Sequence, residues 1–228
     1  MPDSCHVTLT WGHTIAAVAF DMDGLLVNTE ELYTQVGQAL LQRRGRVFSH
    51  DLKNAMTGLP GPQAFALMIE REKLTDSVEI LEAESEAIFV DLLPKQVRLL
   101  AGVEQLLDRL DQLRFPRCGA TSRSPECAET VLTLVEIISR FDFVITARDV
   151  AHGKPKPDIY LAAAQRMNVL PENMLVLEDS HHGCRAGVTS GACTIAVPGD
   201  HSQDHDFTGV HARAESLLDS KISRLLQV

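Results

Sequence analysis

The sequence predicts an α/β fold, with a parallel sheet covered by helices on both faces and an inserted all-helical unit. From about residue 99 onward, short apolar segments alternate with helical patterns, as in parallel sheets whose strands are joined by helices. Ile15–Phe20 has the same strand character much earlier in the chain. Residues 30–95, which lie between, show helical spacing and no strand pattern. We therefore predict one helical insertion directly after the first strand.

The first elements follow from apolar spacing and capping residues. Ile15–Phe20 is short, apolar and bounded by polar residues, which is typical of a strand buried on both faces. Thr29–Arg44 has apolar residues at helical spacing, and Gly45 suits its C-terminal cap. The insertion contains three further predicted helices: Ser49–Gly58, Gln63–Leu74 and Ser77–Leu92. The last of these has an acidic face that we expect to be solvated: Glu79, Glu82, Glu84 and Glu86.

The second half of the chain supplies most of the predicted sheet. The predicted strands are Arg117–Ala120, Phe141–Thr146, Met174–Leu177 and Cys193–Val197. The predicted helices are Val103–Leu113, Pro125–Leu134, Asp158–Asn168 and Gly183–Ser190. Because the insertion interrupts the sheet, we assign residues 1–28 and 97–228 to the core domain and residues 29–96 to the helical domain.

Composition narrows the class of protein. The chain has 228 residues, 45% of them hydrophobic, and a net charge of −10 without a basic stripe, which argues against a nucleic-acid partner. No apolar run approaches the roughly 20 residues that span a bilayer, and the N-terminus lacks a secretory pattern. The five cysteines form no CxxC, which argues against a zinc site or a disulfide framework. We expect a cytoplasmic monomer with no membrane partner.

Chemically active residues follow four of the predicted strands or lie in the loops next to them. In an open parallel sheet, the carboxyl ends of the strands meet at one edge, where ligands bind. The sequence therefore predicts one crevice formed by acids, hydroxyls and a base: Asp21, Asp23, Thr121, Ser122, Lys154, Glu178 and Asp179.

The acids of this crevice indicate a bound cation. Asp21 and Asp23 are two residues apart, a spacing that puts both on one face, and Gly24 permits an immediate turn. Carboxylates gathered in this way raise one another's pKa unless a cation lies among them. Oxygen ligands alone favour Mg²⁺, which often binds substrate phosphate. A carboxylate nucleophile with Thr121 and Lys154 as donors would suit phosphoryl transfer.

Four segments resemble the motifs of the haloacid dehalogenase superfamily. They are, in order, "FDMDGLL", "ATS", "GKPKPD" and "LVLEDSHHG", and the resemblance extends over residues 15–197. The helical insertion after the first motif is similar to the small cap of the subgroup that includes phosphoglycolate phosphatases and beta-phosphoglucomutases. The resemblance implies a Rossmann-like core sheet and an inserted all-helical cap domain.

The resemblance also implies roles for the residues of these motifs. Asp21 would be the nucleophile, and Asp23 would protonate the leaving group and then activate water. Thr121 would bind the phosphoryl oxygens. Lys154, preferred over Lys156 because the K-P-x-P-D pattern begins there, would hold Asp21 and the phosphoryl group together.

Two sets of ligands complete the predicted site. The phosphoryl group would also contact Gly24, Ser122 and Arg123. Mg²⁺ would be held by the Asp21 carboxylate, the Asp23 carbonyl and the Asp179 carboxylate, with Glu178 nearby or bound through water: these four residues are the predicted metal ligands.

We expect a magnesium-dependent phosphatase that acts on a small, sugar-phosphate-like metabolite through an aspartyl-phosphate. A phosphomutase is the first alternative, although the His and Arg that mutases of this subgroup carry correspond here to Tyr33 and the "GLPGP" turn. Arg123 could partly replace the lysine with which a mutase grips a second phosphate. A non-enzymatic phosphoacceptor switch is the second alternative.

One polar loop imitates a metal site. "GDHSQDHDF", Gly199–Phe207, contains two histidines and three aspartates directly after the last predicted strand. Because polar segments between elements usually lie at the surface, we expect a solvated turn. His181 and His182 are expected to begin a helix.

Overall fold

The structure, a computed structural model, describes residues 11–57, 59 and 61–227, and it confirms the predicted fold class. The chain divides into two compact units. We call Met1–Leu26 with Leu99–Val228 the sheet unit, and Val27–Arg98 the helical unit. The assignment of a core domain and a cap domain with boundaries at 28/29 and 96/97 stays a prediction.

The sheet unit is built on a parallel sheet with the strand order β3-β2-β1-β4-β5-β6. Its strands are β1 (Ala17–Phe20), β2 (Arg117–Ala120), β3 (Phe143–Ile145), β4 (Met174–Glu178), β5 (Cys193–Ala196) and β6 (Ala212–Arg213). Every residue of β1 is fully buried, since β1 lies between β2 and β4. The carboxyl ends of these three strands therefore lie side by side. The two-residue β6 was not predicted, because it is too short to show a pattern.

The helical unit contains α1 (Thr29–Gln42), α2 (His50–Met56), α3 (Gly61–Glu72) and α4 (Val78–Gln96). Ser49 and Ser77 cap α2 and α4, each accepting a hydrogen bond from a backbone N–H of the first turn. Tyr33 stacks on Phe89 with ring centroids 4.5 Å apart. Gly58 and Pro60, which belong to the predicted "GLPGP" turn, lie outside the described residues.

The acidic face of α4 differs in part from the prediction. The Glu84 carboxylate accepts hydrogen bonds from the guanidinium groups of Arg43 and Arg44, both at the end of α1. Arg44 also donates to Asp76 at 2.7 Å. Glu84 therefore takes part in joining two helices of this unit and is not simply solvated.

The remaining helices belong to the sheet unit: α5 (Val103–Gln112), α6 (Pro125–Leu134), α7 (Asp158–Arg166), α8 (His181–Ser190) and α9 (Ser220–Leu226). Ile159 and Ala163 on one face of α7 pack with Ala19, Cys118 and Val176 of the sheet. Since α7 follows the loop that carries Lys154, this packing fixes the position of that loop.

Two predictions about the chain as a whole can be compared with the described residues. The described cysteines are free thiols: Cys118, Cys127, Cys184 and Cys193. Cys5 lies outside the described residues. None of the helices within the described part combines the length and the hydrophobicity needed to cross a bilayer.

Candidate active site

The turn after β1 places two acids and needs a glycine. The Asp21 amide donates to the Leu177 carbonyl at 3.0 Å, which continues the pairing of β1 with β4. Gly24 has a φ of +78°, and a Cβ on it would lie 2.5 Å from Asp179 Oδ2. A larger residue would therefore be strained in its backbone and would strike an acid of the site. Asp21 is buried, whereas Asp23 is half-buried.

The loop after β2 brings a hydroxyl and a guanidinium to Asp23. Thr121 is fully buried; its Oγ1 accepts from the Arg123 amide at 3.2 Å and lies 3.4 Å from Asp23 Oδ2. Arg123 Nε and Nη2 donate to the two carboxylate oxygens of Asp23 at 3.0 and 3.1 Å. The sequence did not predict this ion pair, which neutralises the Asp23 charge. Ser122 is exposed.

Lys154 lies among the acids, whereas Lys156 is exposed. Its Nζ donates to Asp21 Oδ1, to the Ala120 carbonyl at 2.9 Å and to Glu178 Oε1 at 2.7 Å. Burial lowers the pKa of Lys154, but the negative charges of Asp21 and Glu178 outweigh burial and raise it. The ammonium group is therefore charged at neutral pH and links β1, β2 and β4 at their carboxyl ends.

Glu178 is saturated with hydrogen-bond donors from the protein. Its Oε1 accepts from Lys154 Nζ and from the Tyr160 hydroxyl, which lies 2.9 Å away. Its Oε2 accepts from the Asp179 amide, the Ser180 amide and the Ser180 hydroxyl, all at 3.0–3.1 Å. Because a carboxylate has about four lone-pair positions, little capacity remains for a cation. Tyr160 was missed, although its place in the helix after "KPKPD" could have indicated it.

Asp21, Glu178 and Asp179 form a buried acidic cluster whose ligand oxygens lie within 4.8 Å of one another. Burial is the main cause that raises the pKa of Asp21, and the charges of Glu178 and Asp179 add to it; Lys154 acts in the opposite direction. Three buried carboxylates face one ammonium group here. The excess negative charge and the oxygen donors fit a divalent cation.

The prediction that Gly199–Phe207 is a solvated turn is wrong for His201. His201 Nε2 lies 2.5 Å from Asp179 Oδ2, and the His201 side chain is only 15% exposed. The following residue, Ser202, is fully buried. The chain folds back after β5 over the turn at Gly24, a path that polar composition alone does not reveal. His181 begins α8, as predicted.

A buried crevice with excess acid, a lysine and a threonine at the carboxyl edge of a parallel sheet offers a carboxylate nucleophile and hydrogen-bond donors for a phosphoryl group. The fold and the site therefore define a protein suited to phosphoryl chemistry, and its relatives identify it as a phosphoric monoester hydrolase.

The chain belongs to the haloacid dehalogenase-like hydrolase family, whose model matches residues 18–197, so the resemblance seen in the sequence is confirmed. It is 31% identical to a phosphorylated carbohydrates phosphatase of Thermotoga maritima over 77% of this chain and 81% of that protein. It is 34% identical to (DL)-glycerol-3-phosphatase 1 of Arabidopsis thaliana over 91% of this chain and 72% of that protein.

A solved structure has a similar fold. CbbY from Rhodobacter sphaeroides, in complex with xylulose-(1,5)bisphosphate, superposes with a TM-score of 0.76 at 25% identity. The superposition covers 90% of this chain and 95% of that one.

Proposed function

We propose that the chain is a Mg²⁺-dependent phosphatase that hydrolyses a small, sugar-like phosphate monoester through a phosphorylated Asp21. The observation that carries the proposal is the position of the Asp21 carboxylate. It is buried, it accepts a hydrogen bond from Lys154, and it belongs to an acidic cluster that a cation would stabilise. A carboxylate can attack phosphorus as a nucleophile, and Lys154 and a cation would offset the repulsion between the acids and an anionic monoester.

In the first step, an Asp21 oxygen forms a bond to phosphorus while the bond from phosphorus to the leaving oxygen breaks. Asp23, two residues along the turn, gives a proton to the leaving oxygen. Lys154 and Thr121 provide a charged donor and a hydroxyl donor for the phosphoryl oxygens. The products of this step are the alcohol and an acyl phosphate on Asp21.

In the second step, Asp23 takes a proton from water, and the water oxygen attacks the phosphorus of the acyl phosphate. Inorganic phosphate leaves and the Asp21 carboxylate is restored. The two hydrogen bonds from Arg123 hold the Asp23 carboxyl group in one orientation, so that the same group can serve both steps. We propose that Arg123 also contacts phosphoryl oxygens, with Gly24 and Ser122 nearby, when substrate is present.

The residues that would hold the metal are Asp21 and Asp179 through their carboxylates and Asp23 through its carbonyl. Glu178 is the weaker candidate for direct ligation because five protein donors already contact it. A bound Mg²⁺ would neutralise charge on the phosphoryl oxygens and on the acids.

The substrate class is inferred from relatives. One is named for phosphorylated carbohydrates and one for glycerol-3-phosphate, and CbbY was solved with a pentulose bisphosphate. All three compounds are small phosphorylated polyols or sugars. We propose a substrate of this class for the present chain.

The test compares wild type, Asp21→Asn and Asp200→Asn with an aryl phosphate and Mg²⁺. Asp200 is an exposed aspartate and serves as a matched control. We expect Asp21→Asn to lose roughly a thousandfold or more in kcat, and Asp200→Asn to retain wild-type turnover. Acid quenching should trap an acyl phosphate on wild type and on Asp200→Asn, but not on Asp21→Asn.

Three other results would contradict the proposal. Undiminished turnover by Asp21→Asn would exclude it as the nucleophile. Stoichiometric phosphorylation without phosphate release would favour a phosphoacceptor switch. Isomerised product from beta-glucose 1-phosphate with a bisphosphate activator would favour a mutase.

A further inference from the structure

The His201 imidazole fits into a slot between two glycines of the sheet unit. A Cβ on Gly24 would lie 2.7 Å from His201 Cε1 and Nε2, and a Cβ on Gly199 would lie 2.9 Å from Cε1. Since real Cβ atoms do not approach so closely, both positions must lack a side chain for the ring to lie there. The two glycines therefore leave the space that the His201 ring occupies.

The slot directs His201 Nε2 at one oxygen of Asp179. The distance from Nε2 to Oδ2 is 2.5 Å, and only 3% of the Asp179 side chain is exposed. Because an ionised carboxylate only accepts hydrogen bonds, Nε2 carries the ring hydrogen and donates a hydrogen bond to Oδ2. A carboxylate that is held through one oxygen keeps its orientation and can offer its remaining lone pairs to a cation.

We propose that His201 is a positioning residue of the divalent-cation site, which holds the Asp179 carboxylate in the orientation that ligates the ion. The inference rests on the proposed function, in which Asp179 is a metal ligand. Neither the four sequence motifs nor the acidic cluster includes His201. It lies 22 positions beyond Asp179, after β5.

The neighbouring acid, Glu178, shows why Asp179 needs such a partner. Glu178 is fixed by five donors, among them Tyr160 and Ser180. Asp179 is the proposed ligand of the ion, and each contact that fixes its rotamer beforehand reduces the entropy lost when the ion binds. The hydrogen bond from His201 supplies that restraint in advance.

The experiment measures Mg²⁺ and Mn²⁺ binding to the full chain by calorimetry, without substrate. His201→Phe keeps a ring in the slot but removes the donor, whereas His201→Gln keeps a neutral N–H donor at similar reach. We expect His201→Phe to weaken cation binding by about tenfold or more. We expect His201→Gln to stay within about threefold of wild type, since it can still donate to Oδ2.

Two further variants separate this inference from the proposed function. His205→Phe, a change of the same kind in the same loop, should leave cation affinity unchanged. Asp179→Asn should abolish measurable binding. If Asp179→Asn loses the ion but His201→Phe binds it like wild type, the positioning role is refuted and the proposed metal site stands.

Two more results would also overturn the inference. An equal loss of cation affinity in His201→Phe and His201→Gln would show that the N–H donor at position 201 does not position Asp179. Wild-type binding by Asp179→Asn would refute the metal assignment itself. Denaturant midpoints without metal, measured for each variant, identify any loss of affinity that comes from misfolding.

Discussion

At the residue scale, the adjacent acids Glu178 and Asp179 have different surroundings. Glu178 is fully buried and accepts from five donors, one of them the Lys154 ammonium. Asp179 contacts the His201 ring. A buried acid with complete hydrogen bonding anchors its neighbours, and Asp179 is the acid of the pair that we propose as a metal ligand. The pair "ED" thus combines a structural anchor with a proposed metal ligand.

Replacing Glu178 by Gln should destabilise the protein even without metal. The change leaves the buried Lys154 with one carboxylate fewer. It also replaces an acceptor oxygen by an NH2 group that faces other donors, so we expect the free energy of unfolding to fall by about 3 kcal/mol. Urea denaturation in the absence of Mg²⁺ measures it. Asp179→Asn is the comparison and should cost less, because it removes a charge that repels Asp21. Equal losses would contradict the division of roles.

Gly183 in α8 provides a steric test of the same anchor. A Cβ there would lie 1.6 Å from Glu178 Oε1, so Gly183→Ala must displace the carboxylate from its donors. We expect a loss of stability above about 2 kcal/mol, together with a large loss of kcat, because Lys154 loses a partner. Gly153→Ala is the control, since no atom lies within 4 Å of its Cβ position. Thermal unfolding and aryl phosphate turnover measure both effects; a Gly183→Ala protein as stable as Gly153→Ala would refute the anchor.

At the element scale, one N-cap connects the site to the fold. Ser180 Oγ accepts from the Gly183 amide at 3.1 Å, which caps α8, and donates to Glu178 Oε2 at 3.0 Å. The helix therefore begins where β4 ends, and its first turn holds the Glu178 carboxylate. In the helical unit, the analogous connection between elements is ionic: Arg44 at the end of α1 contacts Asp76 and Glu84.

The ion pairs of Arg44 predict how the stability of the helical unit depends on pH. The hydrogen bond from Arg44 is the main cause that lowers the pKa of Asp76 and of Glu84. Since the folded-state values lie below the unfolded ones, the stabilisation is complete above about pH 4.5 and is lost as the pH falls through the lowered values. Glu84→Gln should therefore cost up to about 1 kcal/mol at pH 7.

The difference between wild type and Glu84→Gln should be smaller at pH 3 than at pH 7, because the Glu84 carboxylate of the unfolded chain binds a proton as the pH falls below its ordinary pKa of 4.5. Denaturant titrations at the two pH values measure it. Glu86→Gln, a change at an exposed acid of the same helix, is the control and should show little effect at either pH. If Glu84→Gln lowered the free energy of unfolding equally at both pH values, the stabilisation by Glu84 would not be electrostatic.

At the scale of the whole molecule, negative charge is concentrated at the acidic cluster of the candidate active site. The net charge is −10, and the sheet unit concentrates three carboxylates in its interior. Burial and these neighbours raise the pKa of Asp21, so the ionised cluster costs folding free energy until a cation binds. We therefore expect the empty active site to lower the free energy of unfolding, and a bound cation to restore it.

Ligand binding should consequently stabilise the chain against heat. With Mg²⁺ at tenfold its dissociation constant, the gain is about 1.4 kcal/mol, or a midpoint higher by roughly 3–6 °C. Fluoroberyllate, which imitates a phosphoryl group on an aspartate, should add a further increase only when Mg²⁺ is present. Differential scanning calorimetry of wild type and Asp21→Asn tests this, and a fluoroberyllate effect that persisted in Asp21→Asn would contradict it.

The sequence by itself determined the order and type of the elements from β1 to β5, but not β6 or α9. Strands such as Arg117–Ala120 and helices such as Pro125–Leu134 have the predicted bounds, because apolar periodicity and capping residues act over a few neighbouring positions. It also determined that acids, a threonine and a lysine meet at one edge, since parallel strands end together. The family followed from the same residues.

Only the tertiary structure decided which partner each of these groups has. Arg123 on Asp23, Tyr160 on Glu178 and His201 on Asp179 join positions between 18 and 100 residues apart. Such contacts depend on the paths of loops between elements, and a polar segment has the same composition whether it faces water or folds back over a turn. Packing of the glycines and helices around the sheet selects the path, and no local pattern in the chain encodes it.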